Sequence, residues 1–288
     1  MSKGYNERSS EDLGWLPAWF GCSGFGPELK RKIKEYQLEN DLEADGLCGP
    51  ATYRRIYSDQ MKDIDGEYII CNGQKIPIDW PHVVTFDENP GIKSPNGSYK
   101  RRMRGNDRQV DHFILHWDAT LSAKHCMSIL KRRSPPLSVH FCIDNAPEAT
   151  IYQLLDTSQI AYHAGRWNKK SVGVEISNAY SLKHQDYYIR RGHGPRPIIE
   201  GAKVRGRTLR PHLGFYEVQK KAAKALWEAV CFAHGIPLQT PTNPDGTERA
   251  ETLSRAELNE YSGIIHHYQC SEKKIDCGGF DLTKWVNK

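Results

Sequence analysis

The sequence predicts an α/β fold preceded by a small all-α unit, and two textures along the chain separate them. From Asp111 onward, apolar runs of strand length alternate with segments whose apolar residues recur at three- and four-residue steps. Residues 27–56 carry only the helical step, broken once by a loop through Asp45-Gly46. With 288 residues the chain is long enough to bury a core in a large unit with a smaller companion. The predicted division is a first unit over 1–60, a connector with a hairpin over 61–110, and a large unit over 111–288.

In the first unit, residues 1–25 read as a lead-in whose Trp15, Leu16, Trp19 and Phe20 pack on the helices beyond it. Pro27 stands where a first-turn proline is tolerated, and Leu29, Ile33 and Tyr36 share a helix face. A second helix opens at Pro50 with Tyr53 and Ile56 on one side. In the connector, two short apolar runs flank Asn72-Gly73, a two-residue hairpin signal. The basic run Lys100-Arg101-Arg102-Met103-Arg104 reads as a solvated loop, since no aromatic interleaving or nucleic-acid motif accompanies it.

In the large unit, His112 to Trp117 reads as a buried strand, and Ser122 as the cap of a helix carrying Ala123, Met127 and Leu130. Strands follow at 138–144, 149–155 and 171–176. A polar stretch from Asn178 to Leu213 then interrupts the pattern, and segments of that length are usually functional or disordered. The strongest helix comes next, with Val218, Ala222, Leu226, Ala229 and Ala233 in helical register up to Gly235. Ser254 and Glu257 form a capping box for a short helix, and a last strand begins at Gly263.

A formal charge of +5 favours anionic surroundings without selecting a partner. No apolar run reaches membrane-spanning length and none at the N-terminus reads as a secretory signal, so synthesis in a cytoplasm and no membrane insertion are expected. The eight cysteines show no Cys-x-x-Cys spacing, which argues against a zinc ribbon or a disulfide framework and for free thiols.

The stretch from Gly263 to Gly279 concentrates the chemistry. Hydrolytic zinc takes three protein ligands and leaves one position for water. A histidine at the end of the last strand and Asp276 beyond it supply two, and His116, at the end of another strand, is a candidate third. The ten-residue step to Asp276 selects His266, while His267 would face the other way if the strand continues.

Two resemblances are carried by motifs. Gln37, Asp45-Gly46-Leu47, Gly49-Pro50 and Thr52 resemble the peptidoglycan-binding repeat of cell-wall hydrolases. Residues 111–285 resemble the type 2 N-acetylmuramoyl-L-alanine amidase family, shared by phage lysins, wall-recycling amidases and animal peptidoglycan recognition proteins. The carrying blocks run in family order: Ile114 to Thr120 around His116, Ser138 to Phe141, Ile151 to Gln153, Tyr162 to Gly165, Trp167-Asn168, Ser171 to Glu175, and the terminal His and Lys-x-Asp block.

The resemblance implies a mixed central β-sheet flanked by helices and a zinc ion held by His116, His266 and Asp276. It implies Glu175 as general base and then acid, and Lys274 as the cation that stabilises the oxyanion. His163, Trp167 and Asn168 become expected substrate contacts, with His140 packed near the metal. Two departures matter: Val139 stands where close phage relatives have tyrosine, and Cys277 stands where the family usually has proline, so Cys277 or Cys270 competes with Asp276 as third ligand.

The expected activity is hydrolysis of the amide between N-acetylmuramic acid and L-alanine by a monomeric phage endolysin that acts at the bacterial cell wall, with peptidoglycan as partner and no nucleic acid. The rival readings are a non-catalytic peptidoglycan recognition protein and a virion-associated tail component with lytic activity.

Overall fold

The computed structural model describes residues 4–62, 67–97 and 108–286. The chain divides into two compact units, Met1–Gly66 and Glu67–Lys288. The basic run from Lys100 to Arg104 lies outside the described residues.

The first unit is helical. A helix that the lead-in did not announce, α1 (Tyr5–Leu13), precedes the two expected ones, α2 (Pro27–Glu39) and α3 (Pro50–Lys62). The lead-in does pack on the unit: Trp15 is fully buried and meets Phe20 edge-on, while Asn6 bonds to the backbone of Gly46 and Cys48. At the centre sits Gln37, 1% exposed. Its amide nitrogen shares two hydrogens among Asp45 Oδ1, Leu47 O and Thr52 Oγ1, and its oxygen accepts from Gly46 N. The motif residues therefore tie α2, the Asp45-Gly46 turn and α3 together.

In the second unit the Asn72-Gly73 turn joins β1 (Tyr68–Cys71) to β2 (Gln74–Pro77), both turn residues having positive φ as a type I′ turn requires. This hairpin is no loose connector. Gln153 bonds to both backbone groups of Ile70, and β3 (Val83–Val84) joins the central sheet beside a later strand. Sequence reasoning saw short apolar pieces here and missed that they are bound into the large unit.

The sheet continues with β4 (His112–Trp117), then α4 (Ala123–Arg132), β5 (Phe141–Ile143), β6 (Ile151–Gln153) and β7 (Ser171–Ile176). Ser122 caps α4 by accepting from His125 N at 3.2 Å, a contact worth about 1 kcal/mol in such positions. The polar stretch after β7 folds into α5 (Gln185–Arg190) and four two-residue strands: β8 (Ile198–Ile199), β9 (Lys203–Val204), β10 (Arg207–Thr208) and β11 (His212–Leu213). They pair as two ribbons, β8 with β11 and β9 with β10. The long helix α6 (Glu217–His234), the short α7 (Arg255–Glu260) with its Ser254/Glu257 capping box, and β12 (Gly263–His266) complete the frame. A helical turn, α8 (His267–Cys270), comes directly after β12.

The six-stranded sheet runs β12-β4-β7-β5-β6-β3, parallel throughout except where β5 meets β6. It is a mixed central sheet flanked by helices. Side chains alternate between its faces. His116 and Glu175 are register partners on β4 and β7 and share one face; Leu115, Val174 and His266 align on the other. That second face is the side of α6, whose Trp227 meets Phe280, which in turn meets His266. No helix among the described residues is long and apolar enough to cross a membrane.

Candidate metal centre and catalytic cleft

The register decides between the adjacent histidines. His266 pairs with Leu115, one residue short of His116, so its ring leaves the sheet on the face away from His116. There it is fully buried and its Nε2 lies 3.0 Å from Glu248 Oε1. β12 ends at His266 and the chain turns into α8, which brings His267 to the His116 side. The expected His266 therefore stands apart from His116, and His267 takes its place beside it: the strand does not continue, and alternation cannot be carried past its last residue.

His116 Nδ1 lies 2.8 Å from His267 Nδ1 and 3.3 Å from Asp276 Oδ2, and His267 Nδ1 lies 2.9 Å from the same oxygen. These three buried residues are the only group of metal-ligating type among the described residues. Donors bound at 2.0–2.1 Å to a tetrahedral ion such as zinc stand about 3.3–3.4 Å apart, so a small spreading of the trio admits one. Two neutral imidazoles, one carboxylate and a remaining open position are a donor set that fits it.

The electrostatics hold His116 and Asp276 in ligating form. Burial, reinforced by His267, pushes His116 down to about 4 against the pull of Asp276, so its ring is neutral near pH 7. Burial opposes ionisation of Asp276, but hydrogen bonds from His116 and His267 outweigh it and hold the carboxyl well below the usual range. Neither cysteine joins the trio. Cys277 is fully buried, and burial beside Asp276 keeps its thiol protonated. Cys270 donates to His267 O at 3.3 Å, and burial raises its thiol to about 12.

The second nitrogen of His116 is also occupied. Its Nε2 lies 2.9 Å from His163 Nδ1, His163 Nε2 lies 3.2 Å from Ser171 Oγ, and that hydroxyl donates to Trp167 O at 2.8 Å. If His116 ligates through Nδ1, its Nε2–H donates to His163 and the protons run one way along this relay, which fixes the tautomer of each ring. Gly173 makes room for it: a Cβ there would stand 2.4 Å from His163 Nδ1. His140, expected near the metal, instead bonds through Nε2 to Gln159 O and accepts from Gly173 N.

Glu175 shares the face of His116, and its Oε2 is sealed from solvent with no hydrogen-bond partner among the described residues. Burial, then Asp118 and Asp276, raise its carboxyl well above the usual range, opposed by Lys274. Asp118 was not singled out from the sequence. It accepts from Asn178 N, Thr120 and Ser177, yet burial still lifts its carboxyl to about 6. Only its position two residues past His116 could have marked it.

Beside the trio opens a cleft of about 760 Å³, lined among others by His163, Trp167, Asn168, His267 and Lys274. The three expected substrate contacts all line it but carry structural duties too. Trp167 is buried with Ile114, Leu253 and Ile265, and Asn168 Oδ1 accepts from the backbone of His163 and Ala164.

The family model described as N-acetylmuramoyl-L-alanine amidase matches residues 106–279. The chain belongs to this amidase family. A second model, described as a peptidoglycan binding domain, matches residues 23–56, which hold α2 and the first half of α3. No curated protein matches the chain. Among solved structures, this amidase-family chain is similar to a selenomethionine derivative of AmpD, with 14% identity over 76% of this chain and 99% of the other and a TM-score of 0.43. It is similar to the endolysin amidase LysCS of Clostridium intestinale, with 12% identity over 67% and 85% and a TM-score of 0.35. Drosophila PGRP-LB aligns at 14% identity over 72% and 93%, with a TM-score of 0.39.

Proposed function

We propose that the chain is a zinc-dependent N-acetylmuramoyl-L-alanine amidase of the endolysin kind, which cuts the amide between the lactyl group of N-acetylmuramic acid and L-alanine. The observation that carries this reading is the trio of His116, His267 and Asp276 at a cleft that also receives Lys274, with Glu175 beside His116 on one sheet face. Zinc held by the trio would supply a Lewis acid that lowers the pKa of water towards neutrality.

The remaining work falls to the chain. Glu175 takes the proton of the attacking water and returns it to the leaving amine; its raised proton affinity suits it to both roles. The Lys274 ammonium meets the oxyanion as charge develops on the scissile carbonyl. The first unit holds the enzyme at an insoluble polymer and so raises its local concentration there.

The test is digestion of purified sacculi. New L-alanine amino termini should appear, vanish with a chelator, and fall about 10²–10⁴-fold in Glu175→Gln. New reducing sugar ends, or binding to sacculi without release of either product, would refute the proposal.

A further inference from the structure

The ribbons of the polar stretch grip the segment that carries Lys274 and Asp276 at both ends. At the first end, Arg205 Nη1 donates to Lys274 O at 2.8 Å, while Arg205 N donates to Ala250 O at 2.9 Å. At the second, His212 Nε2 lies 3.1 Å from Gly278 O. The packing there is close: a Cβ on Gly278 would stand 2.6 Å from Leu209 Cδ1 and 2.9 Å from Val204 Cγ2, and one on Gly279 would stand 2.6 Å from Ile199 Cγ2. Between the two grips, Asp276 O accepts from Tyr268 N at 3.0 Å.

Arg205 is an unexpected residue for its place. It and Gly206 form the two-residue turn between β9 and β10, with φ of 51° and 70°. Such a turn favours asparagine before glycine, and a long side chain in the left-handed region is strained. A departure from local preference of this kind needs a gain elsewhere, and the contact with Lys274 O is that gain.

We infer that residues 198–213 are a clamp that sets where Lys274 and Asp276 stand, and that Arg205 is its positioning residue. The inference rests on the roles proposed above for those two residues. Arg205 belongs neither to the lining of the cleft nor to the trio; it fixes the carbonyl of the lysine whose ammonium must meet the oxyanion. Misplacing a catalytic group by about 1 Å can cost on the order of 100-fold in rate.

The full-length chain with Arg205→Asn tests it, because asparagine suits the turn and is too short to reach Lys274 O. The variant should melt like the parent, take up deuterium faster at amides 272–278, and lose roughly tenfold in kcat with KM within about twofold, part of the full cost of misplacement. Arg205→Lys should recover most of kcat. Unchanged exchange and kcat in Arg205→Asn would overturn the clamp, as would a rise in KM at constant kcat, which is the mark of a substrate contact. The exchange measurement needs no substrate. Faster exchange in the variant, in a protein that releases no L-alanine termini, upholds the clamp and defeats the proposed activity.

Discussion

Replacing His266 and His267 one at a time by alanine separates two neighbours with different duties. Zinc bound to peptide sites of four ligands is worth about 10–16 kcal/mol, or about 3–4 kcal/mol per ligand, so His267→Ala should weaken binding about 10²–10³-fold. His266 is fully buried and its Nε2 lies 3.0 Å from Glu248, so His266→Ala opens a cavity and removes a charge-assisted bond. That change should cost about 2–4 kcal/mol of folding stability and leave metal affinity near that of the parent. The assay is thermal melting with and without zinc, beside competition against a chromogenic chelator. Zinc at 100 times the parent's Kd adds about 2.7 kcal/mol, whereas His267→Ala at the same concentration gains at most about 0.4 kcal/mol. A His266→Ala protein that loses zinc while His267→Ala keeps it would refute the register argument.

The relay behind His116 makes a second prediction: Ser171→Ala, which leaves His163 Nε2 without its hydroxyl partner, should lower zinc affinity about 10-fold, and His163→Ala up to about 100-fold, by chelator competition. Gly173→Ala should act through the same rings, since its Cβ would stand 2.4 Å from His163 Nδ1; about 1–3 kcal/mol of stability and part of the zinc affinity should go together in melts and titrations. Away from the site, burial and then Arg108 hold His234 down to about 4, below the ordinary value of 6.5. The unfolded chain therefore binds this proton first as pH falls, so stability present above pH 6.5 is lost between about 6.5 and 4. Denaturant melts of His234→Gln across that window should show a shallower loss than the parent.

Much of this architecture was legible because its signals are local. The apolar run of β4, the periodicity of α6, the capping box at Ser254 and the hairpin at Asn72-Gly73 each need only a short window of residues. What escaped was non-local. The end of β12 is set by its pairing with β4 and by the turn into α8, and one residue of strand more or less changes the face of every side chain beyond it. The strand β3 is two residues long and gains its place only from β6. Likewise the ribbons of 198–213 are too short to announce themselves, and their packing against Gly278 joins residues far apart in sequence. His116, Glu175, Lys274 and Asp276 were legible as a set through the order of their motif blocks, whereas the contact of His163 with His116 was not.

The Gln37 network bears on how the first unit can change. All four of its partners come from the motif residues Asp45, Gly46, Leu47 and Thr52, so the signature of this repeat records how the repeat is built. If the unit binds the wall as proposed, recognition must be written in residues outside the signature, on the surface around this knot. On the proposed wall-binding role, specificity becomes an interchangeable exterior on a constant interior, and exchanging those outer residues should redirect binding without refolding the unit.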